Sequence, residues 1–323
     1  MTHGIEVGAP LIASYKNGNY NVELYGDGTK IRFADVDEFV ADFPENIDVC
    51  LTKKCDGGCP WCYEGCTVNG KHGMVGLMSE EYDEFVLPKW MMSLRPGTEL
   101  ALNGNDLSHP HLEDCLKVLR NRGIITNMTI NQRHLVSHLP TLVDWQEREL
   151  IHGIGISLSD STDEYLYMAI ETLNNVVLHV INGLFTVEDI MNLQSIAPKV
   201  LILGYKDVGR GTTYHNTNQS TIAENMTNLR ANLRDMVFFG WVSGVSFDNL
   251  ALEQLDVKNT LFNGNEERWS RFYMGDDGSF TMYIDTVNGK FSKNSCMPES
   301  ERFEIGDKTV DEMFNFIRER YNK

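Results

Sequence analysis

Between residues 46 and 236, short apolar runs alternate six times with stretches of helical length and period, and this alternation leaves the chain few folds. The runs cover 47–52, 98–102, 124–130, 151–158, 176–181 and 200–205; the helical stretches cover 79–94, 111–121, 139–149, 162–174, 187–197 and 221–236. Three helix starts place a hydroxyl three residues ahead of an acid, at Ser161 and Glu164, Thr186 and Asp189, and Thr221 and Glu224. That is the capping-box arrangement. Strands apolar almost throughout belong to parallel sheets with helices outside. Consecutive right-handed crossovers would curl such a sheet. The sequence thus predicts an α/β fold, a partial (β/α)6 TIM-like barrel over residues 46–236.

The flanks read differently. Residues 1–45 form a β-rich extension in which YNVELYGDGTKIRF alternates about a Gly26-Asp27-Gly28 turn, a hairpin signal. From 237 to 323 the alternation breaks down into an α+β extension. FYMGDDGSFTMYIDTVNGKF reads there as strands around Asp276-Asp277-Gly278 and Asn288-Gly289, and Thr309 with Glu312 caps a last helix. No linker rich in Pro, Gly or Ser separates these parts, and no repeat of solenoid length is present.

Lys and Arg total 28 against 46 Asp and Glu, a net charge of −18 over 323 residues. So acidic a surface repels phosphate backbones and anionic lipid, which argues against nucleic acid and membranes as partners. No run approaches the length of a membrane span, and the N-terminus lacks the basic and apolar regions of a signal peptide. Seven cysteines are present, five of them between positions 50 and 66. Clustered thiols in odd number suit a reducing cytoplasm, where they mean metal or catalysis.

The cluster reads VCLTKKCDGGCPWCYEGC and contains Cys55-x3-Cys59-x2-Cys62 directly after the first predicted barrel strand. Glycines at 57 and 58 let three thiolates converge on one centre. Three are one too few for a closed [4Fe–4S] cluster, so one iron would stay open to a ligand. Two other readings use Cys66 as a fourth donor: a structural zinc site, or a fully ligated cluster that only carries electrons. Cys50 in a strand and Cys115 on a helix read as packing residues.

The segment CDGGCPWCY resembles the CxxxCxΦC motif of the radical S-adenosylmethionine (SAM) superfamily, with Trp61 as the aromatic position and Tyr63 following. The resemblance runs in order of elements over residues 45–236. It implies a [4Fe–4S] cluster on Cys55, Cys59 and Cys62, with SAM chelating the open iron. It further implies reductive cleavage of SAM to a 5′-deoxyadenosyl radical that abstracts hydrogen, fed by a flavodoxin- or ferredoxin-type electron donor. By the same resemblance Trp61 and Tyr63 flank the adenine. Asn103-Gly104-Asn105-Asp106, after the second strand, is similar to the GGE motif that holds the SAM amino group. Asn105 stands where that motif has its acid, so either the Asn105 carbonyl or Asp106 takes that part; a turn with a helix cap is the other reading. His109 and His111 beside it read as a helix start, with a metal pair as the other reading. Ser157 and Ser159 share a face of the fourth strand and resemble the segment contacting the ribose and carboxylate, in competition with capping of the next helix. Asn131 resembles the asparagine of a TNG-like turn. Lys206 and Arg210, in YKDVGRG, resemble a segment beside adenine and substrate and could reach a carboxylate; a solvated loop is the other reading.

The C-terminal extension resembles a SPASM or twitch region without the cysteines of an auxiliary cluster, since only Cys296 lies beyond the barrel. Residues 237–300 are expected to cover the barrel mouth and exclude water. Cys296, or failing it Tyr283, is the candidate to return hydrogen to a substrate radical. The substrate is a small metabolite or a peptide, with the small molecule favoured by the acidic charge and the absence of a leading peptide-recognition domain.

Overall fold

The computed structural model describes residues 8–79 and 84–321. Its first three strands, β1 (Leu11–Asn17), β2 (Tyr20–Tyr25) and β3 (Lys30–Phe33), form an antiparallel sheet in chain order. The predicted hairpin is there: Asp27 Oδ1 accepts the Thr29 N–H at 2.9 Å, and Gly28 takes the positive φ of 86° that the turn demands.

A second sheet of ten strands dominates the molecule. It is built from β4 (Asn46–Cys50), then, after the small pair β5 (Leu77–Met78) and β6 (Phe85–Val86), from β7 (Glu99–Asn105), β8 (Ile125–Asn131), β9 (Gly153–Ser157), β10 (Val176–Ile181), β11 (Lys199–Leu203), β12 (Gly244–Phe247), β13 (Thr281–Asp285), β14 (Lys290–Ser292) and β15 (Phe303–Glu304). Its order is β12-β11-β10-β9-β8-β7-β4-β13-β14-β15. Every pairing from β12 to β13 is parallel; the β13–β14 and β14–β15 pairings are antiparallel, so β14 alone runs against the rest. The fold is mixed α/β with a mostly parallel sheet.

The helices are α1 (Lys89–Met92), α2 (Leu112–Asn121), α3 (Leu135–Glu147), α4 (Glu164–Thr172), α5 (Val187–Asn192), α6 (Arg210–Phe238), α7 (Asn249–Gln254), α8 (Val257–Phe262), α9 (Glu266–Phe272) and α10 (Val310–Tyr321). Two caps are as predicted: Thr186 and Asp189 form a reciprocal box, as do Thr309 and Glu312. Two are not. Asp163, rather than Ser161, caps α4 by accepting from Tyr165 N at 3.0 Å. Thr221 and Glu224 lie inside α6, which begins eleven residues earlier at Arg210 and kinks at Asn218. The expected helix over 79–94 shrinks to α1 because Pro88, lacking an N–H, opens it; residues 80–83 fall outside the described residues. Pro140 sits inside α3, which starts at Leu135.

The sheet continues past residue 236. β12 adds a seventh strand to the sequential run, and β13 pairs with β4 from 281 onward. Residues 237–300 therefore extend the sheet at both sides rather than serve only as a cover. Before Asp276 no strand forms: α9 ends at Phe272, and residues 273–275 are irregular.

Exposure alternates along β7, β8, β10 and β11. Ile47, Val49, Leu100, Leu102, Met128, Ile130, Ile154, Ile156, Leu178, Val180, Val200 and Ile202 are buried and form one apolar face. The other face carries Asp48, Asn103, Asn127, Thr129, Asn131, Ser157 and His179 among apolar residues. Two-residue periodicity puts the two sets on opposite sides.

The N-terminal sheet sits against the strands' N-terminal ends. Glu45, 1% exposed, receives Tyr20 OH at 2.5 Å and Arg32 Nε at 2.8 Å. Lys30 reaches Glu99 at 2.5 Å, and Lys199 Nζ donates to Asp27 O at 2.6 Å. Removing one partner of a buried ion pair strands the other charge without water. Glu45→Ala is expected to cost about 3–5 kcal/mol, read as a lower urea midpoint at unchanged m-value.

Candidate functional site

β4 ends at Cys50, and the chain then forms the loop that carries Cys55, Cys59, Cys62 and Cys66. The loop doubles back on itself: Lys53 N–H donates to Lys71 O at 2.9 Å, Cys55 N–H to Thr67 O at 2.9 Å, and Thr67 N–H to Lys53 O at 2.9 Å. It lies at the C-terminal ends of the parallel strands, opposite the N-terminal sheet. All seven cysteines are free thiols.

The sulfurs have defined neighbours. Cys55 Sγ accepts from Gly57 N at 3.3 Å, and Cys59 Sγ from Asn131 Nδ2 at 3.4 Å. Cys66, 6% exposed, is turned inward, where Asn105 Nδ2 donates to its sulfur at 3.5 Å. The Cys66 thiol also hydrogen-bonds Cys62, which holds the Cys62 thiol below its ordinary range and pushes Cys66 above it. Burial raises Cys55. Among the described residues no three of these four sulfurs lie mutually within 4.8 Å. A tetrahedral zinc bonded to sulfur at about 2.3 Å would hold them about 3.8 Å apart. Among the described residues the group whose ligand atoms do lie within 4.8 Å of one another is Cys55, Asp56 and His134, in which Asp56 is 66% exposed.

Asn103 and Asn105 turn toward this loop. Asn103 Oδ1 accepts from Leu51 N at 2.5 Å and its amide donates to Thr52 O at 3.0 Å. Asn105, at a β-bulge with φ of 49°, donates to Thr52 O at 3.0 Å and Lys54 O at 3.2 Å. Their side chains are thus spent on the loop's base. Gly104 packs against Met128 and Leu107. Asp106 accepts from Ser108 N at 3.2 Å and Ser108 Oγ at 2.6 Å, a local turn. His109 is buried with Nε2 at 3.0 Å from Gly73 O, just ahead of α2, for which His111 is the N-cap residue.

Arg210 grips the same loop: Nε donates to Cys59 O at 3.1 Å and Nη1 to Cys66 O at 2.7 Å. Gly209 comes so close that a Cβ there would meet Tyr63 O at 2.3 Å. Trp61 rests edge-on against Tyr214, ring centroids 5.6 Å apart. Lys206 Nζ lies 4.0 Å over the Tyr63 ring and donates to Ser295 Oγ at 2.8 Å. Burial opposes the Lys206 charge, but Tyr63, Cys296, Asp248 and Asp48 around it prevail and hold its ammonium above the usual range. Trp61, Tyr63, Ile181, Leu203, Tyr205 and Lys206 line a cleft.

Ser157 stands between Asn131 and His179 in register on the polar face. Ser159 is occupied: its N–H donates to Gln132 Oε1 at 2.8 Å. Tyr283 is enclosed, with its hydroxyl donating to Glu64 Oε1 at 2.8 Å and the Arg302 guanidinium 4.7 Å over its ring. Cys296 is partly buried near Lys206, and burial raises its thiol.

Two groups on the polar face escaped sequence reasoning. His179 interrupts the apolar run VVLHVI, and its ring leans over Gly155, where a Cβ would meet it at 2.5 Å. Burial, then the charge of Lys206, pushes its pKa down to about 4. Asp48 sits between two fully buried residues of β4, and a polar residue in a short apolar strand was the available signal for both. Chemically the arrangement offers a cysteine-rich loop held from β7, β8 and α6, beside a cleft with one ammonium. Comparison with models of known protein families and with curated proteins finds no match.

Arg210→Ala should free the Cys59 and Cys66 carbonyls. Iodoacetamide alkylation of the loop cysteines and amide exchange over 55–66 are then expected to speed up roughly tenfold or more, as loss of charge-assisted hydrogen bonds implies. His179 predicts a pH effect. As pH falls from about 6.5 toward 4, the unfolded chain takes a proton at His179 that the folded chain refuses, so stability drops. His179→Gln should remove that part of the slope in urea titrations compared at pH 7 and 5.

Proposed function

We propose that this chain is a radical SAM enzyme, in which Cys55, Cys59 and Cys62 hold a [4Fe–4S] cluster. The observation that carries this reading is the division of the four loop cysteines. Three are partly open to solvent, while Cys66 is buried and engaged by Asn105. The donor set fits: three partly exposed thiols on one loop, with N–H groups from Gly57 and Asn131 directed at Cys55 and Cys59, suit a cluster held by three cysteines. When bound, the cluster supplies the electron that cleaves SAM and so starts hydrogen abstraction.

The residues of this chain position and enclose. Asn103, Asn105 and Arg210 fix the loop, which keeps the donors preorganised. Ser157 and the 103–106 backbone remain as contacts for SAM, since the Asn105 side chain is committed elsewhere. Trp61 and Tyr63 supply aromatic surface for adenine in the cleft. The run of seven sequential parallel strands, buried under helices on one face and polar on the other, supports curling into the partial TIM-like barrel. Within that reading residues 1–45 close the barrel bottom. Among the described residues no helix is long and apolar enough to cross a membrane. A cytoplasmic setting with a flavodoxin- or ferredoxin-type donor completes the proposal.

The contact between Cys66 and Cys62 favours one rival, a four-cysteine electron carrier. Anaerobic reconstitution separates the two. The proposal expects iron and sulfide binding lost in Cys55→Ala, Cys59→Ala and Cys62→Ala but kept in Cys66→Ala. It also expects a reduced-cluster electron paramagnetic resonance spectrum altered by SAM, with 5′-deoxyadenosine formed. A spectrum indifferent to SAM, or a cluster lost in Cys66→Ala, would refute it.

A further inference from the structure

The turn that follows β8 touches the cysteine loop at three points. Asn131 Nδ2 donates to Cys59 Sγ at 3.4 Å, Arg133 Nη1 donates to Gly57 O, and His134 Nε2 stands 3.2 Å from Asp56 Oδ1. Asn131 Oδ1 also accepts the Arg133 N–H at 3.1 Å, which fixes the turn itself. On the loop side, Gly57 N–H donates back to Cys55 Sγ at 3.3 Å. Turn and loop are thus clipped together on either side of Asp56. Cys55 Sγ, an Asp56 carboxylate oxygen and His134 Nε2 end within 4.8 Å of one another.

None of these three atoms is fully used by the protein. His134 Nε2 is shielded from solvent and has no hydrogen-bond partner, although Asp56 lies beside it. A ring nitrogen cut off from water in this way costs free energy until something binds it. Among the described residues no lysine or arginine nitrogen lies within 4 Å of the Asp56 carboxylate. Cys55 Sγ has only the Gly57 N–H. Three Lewis bases therefore face one another with lone pairs to spare. A four-coordinate ion bonded to nitrogen, oxygen and sulfur holds such donors about 3.3–3.8 Å apart. The His134 side chain is 12% exposed and held, whereas Asp56 is 66% exposed, so rotation of Asp56 closes the remaining gap.

We infer that Cys55, Asp56 and His134 bind a single divalent transition-metal ion, zinc or ferrous iron, while no cluster occupies the loop. A thiolate with an imidazole and a carboxylate suits such borderline ions and not magnesium or calcium, which take oxygen donors. Cys55 gives its proton to solvent as the ion binds, and water fills the fourth position. Cys59 and Cys62 take no part, so this site stands apart from the cluster reading. Cys55 cannot serve both, and the ion and the cluster exclude each other.

The test is anaerobic titration of the full, cluster-free chain with cobalt(II), which reports thiolate ligation by a charge-transfer band. One cobalt with a single sulfur is expected. Cys55→Ala should abolish the band, and His134→Ala and Asp56→Asn should each weaken binding roughly tenfold or more. Cys59→Ala, Cys62→Ala and Cys66→Ala should leave it in place. His134→Gln repeats the measurement should the alanine variant fail to fold. Zinc added beforehand should slow reconstitution with iron and sulfide in the unaltered chain but not in His134→Ala. No cobalt binding, a spectrum indifferent to His134 substitution, or a band lost in Cys59→Ala or Cys62→Ala overturns the inference. If no sample forms a cluster, the proposed function fails while the cobalt series still decides the metal site.

Discussion

Most of the molecule follows from one constraint: the central strands are parallel and alternate in exposure. Parallel neighbours joined by crossover helices place those helices over one face, where Leu100, Met128, Ile154, Leu178 and Val200 exclude water. The same alternation presents every second residue to the other side. There the requirement for an apolar side chain is relaxed, so Asp48, Asn103, Thr129, Asn131, Ser157 and His179 can occupy strand positions. Because all these strands end at one edge, the loop after β4 and the bulge at Asn105 meet.

Asparagine has a particular part in that meeting. Its amide carries two donors and an acceptor on a short stem, enough to satisfy several loop carbonyls at once. Asn103 and Asn105 hold Leu51, Thr52 and Lys54 this way, and Asn131 bridges Cys59 Sγ and Arg133 N. Arg210 adds a fixed fork on Cys59 and Cys66 carbonyls from the opposite side. The loop's shape thus comes from residues 39 to 151 positions away as much as from its own glycines. An acid in place of Asn105 would lose the donations to Thr52 and Lys54, a physical reason for amide over carboxylate there.

Ion pairs stand at both ends of the sheet. At the strands' N-terminal edge, Glu45 and Glu99 are matched by Arg32 and Lys30. At the other end Asp285, opposite Cys50 in register and fully buried, is matched by Arg302 at 3.1 Å and Lys53 at 3.2 Å. A satisfied network rigidifies what it joins.

The sequence by itself determined the local features: the hairpin about Asp27-Gly28, the caps at Thr186 and Thr309, the strand at 176–181, and the glycine-bearing cysteine spacing. Each depends on residues a few positions apart, so turn chemistry, capping and periodicity suffice to reveal it. Only the tertiary structure decided that β13 pairs with β4, that Asn105 and Arg210 serve the loop, and that Lys206 lies over the Tyr63 ring. Those relations join residues far apart in the chain. They follow from sheet register and helix placement, which no local pattern encodes.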